Sequence, residues 1–193
     1  MKFSVYTTVS LSFVVWLIFF LLRLTIDIDY SVDNSCQTDE DMESSSVIAN
    51  EQVIFEAISN GDDYSVFVMI FMNNIKGCII NILGGFLFSV GTFLNLAFNG
   101  FMMADTFRLA YDVGMDTEKI LMTTLPHSFE LLGFFLSGAI GMQITLEMIK
   151  LIKNKMCFTK RFFYDGLIQS LIVFVLIISA AFVEAYISVN IEL

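Results

Sequence analysis

Long uninterrupted apolar runs constrain this chain more than any other feature. Residues 5–22, 77–98, 131–149 and 167–189 are each about as long as a bilayer requires, since roughly 20 helical residues at 1.5 Å apiece cover its ~30 Å core. A soluble domain would instead show apolar residues in periodic stripes with polar faces between them. Composition agrees: 56% of the residues are hydrophobic, only 16% are charged, and the mean hydropathy is +0.76. The expectation is an all-α integral membrane protein of about five transmembrane helices, with a short polar third span and an acidic segment outside the membrane.

The net charge of -10 belongs to one stretch rather than to the whole chain. Residues 27–65 collect eleven of the acids and no lysine or arginine, with Ser, Asp and Asn in the first half and an amphipathic pattern of Val47, Ile48, Phe55 and Ile58 in the second. That composition suits a solvated extramembrane segment. A basic groove with interleaved aromatics is missing, which argues against nucleic acid as a partner and leaves membrane lipid as the surrounding medium. Cys36, Cys78 and Cys157 have neither zinc nor redox spacing and read as free thiols. No metal or other cofactor is expected.

The first run, with Trp16 inside it and Arg23 after it, lacks a small-x-small cleavage site and reads as a retained first helix over residues 1–26. The stretch 65–98 exceeds one perpendicular span, so its beginning, through Asn73, Asn74 and Lys76, reads as a helix-entry segment and 77–98 as the crossing. Gly77, Gly84 and Gly91 recur every seven residues, near one face, where they would let another helix approach, and Asn81 and Asn95 would seek polar partners there. Gly133, Ser137, Gly141 and Thr145 form a second, four-residue ladder of small residues. Such glycine faces suggest a homodimer.

Between these runs, Asn99 and Gly100 open a segment carrying Asp105, Arg108 and Asp112, spaced so that the arginine lies beside both acids on one helical face, with Gly114 ending the helix. Pro126 then suits a first helical turn, and it places His127 and Glu130 on neighbouring positions of the following helix. Ionisable groups at membrane depth face protein or water, which makes this pair a candidate site; capping of backbone groups at the surface is the plainer alternative. Glu184 stands near the end of the last run.

Lys150, Lys153, Lys155, Lys160 and Arg161 fall in one short loop and mark a cytoplasmic side. Five spans then require residues 99–114 to cross, with the acidic segment outside. A four-span alternative makes residues 99–125 an external or re-entrant hairpin, and Lys2 against Arg23 does not separate the two.

Asn73-Asn74, the glycine-studded helix, Asn99-Gly100, Leu125-Pro126-His127-x-x-Glu130 and the run from Phe182 through Glu184 to Ser188 together resemble the stage II sporulation protein M family. The likeness covers most of residues 73–188; Ser128 stands where that family commonly has glycine, and residues before 73 carry no such signature. The resemblance implies a family-like transmembrane core over residues 66–193 and a multi-span membrane protein without established enzymatic chemistry.

The family includes a sporulation scaffold for cell-wall hydrolases and short relatives encoded with ATP-binding subunits in bacteriocin secretion and immunity. The expected role is therefore a non-catalytic subunit, in the bacterial plasma membrane, of a transport or peptide-immunity system served by a cytoplasmic ATP-binding protein. A scaffold for extracellular hydrolases is the alternative. An enzyme is disfavoured because no His-Glu-x-x-His or Gly-x-Ser-x-Gly motif and no second histidine is present.

Overall fold

In the computed structural model, residues 5–26, 61–112, 114–116, 120, 127–154 and 159–188 are described. They form five long helices: α1 Val5–Thr25, α2 Asp63–Gly84, α3 Val90–Asp112, α4 His127–Asn154 and α5 Lys160–Val183. A 3₁₀ turn, Gly85–Leu87, joins α2 to α3, and a π-helical turn, Glu184–Ser188, extends α5. No strand occurs among the described residues. Four stretches are long and apolar enough to cross a membrane: Val5–Thr25, Asp63–Leu87, Ser128–Lys153 and Lys160–Tyr186. With α3 beside them they make an all-α membrane protein.

Local chemistry sets the helix ends. The Asp62 carboxylate accepts hydrogen bonds from the Ser65 backbone N–H (3.1 Å) and hydroxyl (2.6 Å), so α2 begins at Asp63. Thr159 caps α5 through Phe162 N–H at 3.2 Å. Gly114, at φ +80°, follows α3 and donates its N–H to Tyr111 O, the left-handed closure expected of a glycine after a helix.

The second crossing differs from the one drawn from hydropathy. Residues 77–98 do not form one helix: the chain turns at Gly85–Leu87, and Phe88 and Ser89 take left-handed φ of 54° and 62°. Asn73, Asn74 and Lys76 lie well inside α2 rather than at its entry. The third helix is consequently not a short segment from Asn99 but spans Val90–Asp112, ~33 Å at 1.5 Å per residue. An apolar run records no reversal of direction, and this reversal depends on glycines meeting in space. A Cβ on Gly84 would stand 2.3 Å from Thr92 N, and one on Gly91 3.0 Å from Gly84 Cα.

Neighbours along the helices give their directions. Thr8 meets Gln143 and Ser12 meets Gly138, so α1 opposes α4. Trp16 meets Asn99 and Arg23 meets Asp105, so α1 and α3 run alike. Gly77 meets Phe134 and Gly85 meets Thr145, setting α2 parallel to α4, while Gly133 at Ile177 and Gln143 at Gln169 set α5 against α4. Direction alternates through all five helices. One end of the bundle receives the start of α1, the Gly85–Leu87 turn and Lys150, Lys153, Lys160 and Arg161; the other receives the start of α2, the end of α3 and the Glu184–Ser188 turn.

Helix α4 is the axis: 61% of its apolar window is buried inside the protein, against 17–28% for the other three such spans. It can take this position because it is small on several sides. Gly138 accepts Ser12 and Leu96, Gly141 lies against the Asn81 carbonyl of α2, and Gly133 meets Ile177 of α5. Trp16, Cys78, Leu96, Phe134, Phe135, Ile140, Val173 and Ile177 fill the space between.

Candidate functional site

Polar side chains gather in three levels along this interior. At the centre, Asn81 is fully buried and donates through Nδ2 to Ser137 Oγ (3.0 Å) and Phe134 O (3.3 Å) on α4. Asn95 of α3 donates to Asn81 Oδ1 and to Gly77 O, both at 2.9 Å, and Thr92 donates to Asn81 O at 2.7 Å. One asparagine thus joins three helices. Beside the turn, Thr145 Oγ1 donates to Gly85 O (2.6 Å) and stands 2.7 Å from Ser89 Oγ. Gln143 Nε2 reaches Thr8 Oγ1 at 3.2 Å and Gln169 Oε1 at 3.4 Å, tying α1, α4 and α5. In hydrocarbon each such bond replaces an unsatisfied polar group.

A charged level lies toward the end of α1. Arg23 is 3% exposed, pairs with Asp105 of α3 at 2.5 Å, donates to Ile26 O at 2.8 Å and stands over the Phe101 ring at 5.1 Å. Arg108 lies 4.0 Å from Asp112 and donates to Ile26 O at 3.3 Å. The acids of this segment are therefore divided between two arginines, one of them contributed by α1, 82 positions before the Asp105 it pairs with. Asn99 accepts the Trp16 indole N–H at 3.2 Å, and Gly100 lets α1 close in: a Cβ there would be 2.4 Å from Trp16 O.

Asn73 and Asn74 diverge as successive helical positions must, Asn74 buried and Asn73 exposed. Glu130, one turn into α4, is half-buried and within electrostatic reach of the buried Cys78 of α2. Pro126 and the side chain of His127 lie outside the described residues, so the His127/Glu130 pair is described only by its carboxylate. Glu184 opens the π turn, whose Ala185 and Tyr186 pack on Val66, Phe67 and Ile70 near the start of α2. Cys78 is a free thiol.

The glycines proposed as a face for self-association are occupied within the chain. Gly77 lies under the Phe134 ring, Gly84 and Gly91 meet each other's helices, Gly141 meets Asn81, Gly133 meets Ile177, and Ser137 bonds Asn81. Gly85 and Gly138 do the same work outside the two ladders, and their only signal in the sequence is that of small residues within apolar runs. The pairing of Arg23 leaves no local signal, because its partner Asp105 is distant in sequence. Among the described residues no group of three His, Cys, Asp or Glu side chains gathers to hold a metal ion.

The family model described as stage II sporulation protein M matches residues 5–189, extending the likeness across α1. An uncharacterised protein of Methanocaldococcus jannaschii is 33% identical over 128 residues, 63% of this chain and 70% of that protein. No solved structure matches the chain.

Proposed function

The chain belongs to the stage II sporulation protein M family, and from that premise we propose that it is a non-catalytic, multi-span subunit of a transport or peptide-immunity system, working in the plasma membrane with a cytoplasmic ATP-binding protein. One observation carries the reading: inside the bundle the charged groups collect toward opposite ends, and among the described residues the buried middle between them holds only neutral polar side chains. Lys150, Lys153, Lys160 and Arg161 stand at one end, whereas Arg23, Asp105, Arg108 and Glu130 stand ~30 Å away along α4. Basic groups in a short loop favour the cytoplasmic face, where an ATP-binding protein or anionic headgroups would meet them. The interior polar groups at Asn81, Asn95, Thr92 and Ser137 are spent on holding helices together, which supports a structural or coupling role over chemistry.

The test reconstitutes the tagged chain in nanodiscs with the ATP-binding protein encoded nearest to it. Co-elution and at least a twofold change in ATP hydrolysis are expected, and Glu130→Gln should remove the change while helicity persists. An ATPase indifferent to the subunit, or full coupling in the variant, rejects the assignment.

A further inference from the structure

Lys76 occupies an unusual place. The inner side of α2 is marked by Asn74, Cys78, Asn81 and Gly84, and the outer side by Met72, Asn73, Lys76, Ile79, Ile80 and Leu83. At 100° per residue Lys76 lies roughly 160° around the helix from Cys78, in the middle of the outward arc. Along the axis it stands ~20 Å from Asp63 and ~15 Å from the Gly85–Leu87 turn, halfway through the membrane-length stretch Asp63–Leu87. Among the described residues no ion pair or hydrogen bond engages its ammonium group. Asn73, one turn away on the same arc, is exposed too.

An ammonium group facing hydrocarbon at mid-span is strongly unfavourable, and such groups pair with another polar group inside the membrane. A four-carbon stem is too short to carry it ~15 Å to either helix end, so a lipid headgroup is out of reach. A second copy fits poorly, because a two-fold contact over this arc would set one Lys76 against the other. Among the described residues the carboxylates of Asp105 and Glu147 are paired with Arg23 and Lys150, and Glu130, near the same depth, lies on the inner side of α2 toward Cys78 with interactions of its own.

We propose that the Asn73–Lys76 face of α2 docks a membrane helix of a different protein that presents a carboxylate at the same depth. Asn73 then supplies a second hydrogen bond one turn away, and Met72, Ile79, Ile80 and Leu83 supply the apolar flanks. This goes beyond ATPase coupling, since it names a partner within the bilayer and holds whether or not a cytoplasmic subunit also binds.

The experiment uses the whole chain, donor-labelled in liposomes at pH 8, and energy transfer to acceptor-labelled polyleucine transmembrane peptides bearing one central Glu, Gln or Lys. The Glu peptide should bind at least tenfold more tightly than the Lys peptide; Lys76→Leu should erase the preference and Lys76→Arg keep it. Equal binding of all three peptides to the natural chain overturns the proposal without recourse to any variant, as does a preference that survives Lys76→Leu. So does efficient self-cross-linking of Lys76→Cys with the native cysteines removed, which would assign the face to a second copy, or phospholipid co-purifying with the natural chain and lost in Lys76→Leu.

Discussion

Replacing Gly141 by alanine should be disproportionately damaging for a single methyl group. The added Cβ would stand 2.2 Å from Asn81 O and 2.7 Å from Thr92 Oγ1, where ordinary van der Waals contact begins at 3.4 Å. Backbone carbonyls cannot swing aside as a side-chain tip can, so α4 must retreat from α2 by about 1 Å, and with it go the bonds from Asn81 to Ser137 and Phe134 and the geometry of Thr92 on Asn81. Three bonds at about 0.6 kcal/mol each are worth roughly 2 kcal/mol in a membrane interior, and overpacking adds about 1–3, giving about 3–5 kcal/mol. Gly166, with nothing within 4 Å of its added Cβ, is the control: alanine there should be neutral or slightly stabilising. The buried Cys78 thiol reports unfolding through a thiol-reactive dye once Cys36 and Cys157 are replaced by serine. A Gly141→Ala chain within about 0.5 kcal/mol of the parent would refute the claim that backbone contact at Gly141 sets the helix spacing.

Four further outcomes follow from the same geometry. Arg23→Leu should cost about 3 kcal/mol by leaving Asp105 uncompensated, and the double Arg23→Leu/Asp105→Leu chain should recover at least half of that in the same dye assay; additivity would count against the pair. Phe88→Gly should gain about 1 kcal/mol by relieving its left-handed φ, read as a higher dye midpoint. The Asp62 carboxyl is held below its ordinary value of 3.8 by the Ser65 hydroxyl and backbone N–H, so the cap is complete above 3.8 and lost as pH falls through the lower folded value. Faster exchange of the Ser65 amide in acid, abolished by Asp62→Asn, is the check. Cysteine introduced at Met115 should react with an impermeant maleimide on intact cells, and cysteine at Lys153 only after lysis; the reverse pattern inverts the orientation.

Lipid solvation makes helix content and approximate count readable from sequence alone, because backbone groups in hydrocarbon must bond internally and the run length is set by bilayer thickness. That is why the all-α membrane class and the ends at Asp62, Gly114 and Thr159 follow from local residues: caps and left-handed closures involve partners three or four positions away. The parity of the topology was not local. Hydropathy cannot distinguish one long helix from two helices folded at Gly85, since both place the same apolar residues in lipid, and only the meeting of Gly84 with Gly91 and Thr92 reveals the reversal. The tertiary structure likewise decided that Asp105 takes Arg23, that Asn81 joins three helices, and that the glycine ladders pack helices within the chain. Each of these depends on which helix stands beside which. In a medium as apolar as the side chains, that choice rests on close backbone approach and a few buried polar bonds, and periodicity within any single segment carries neither.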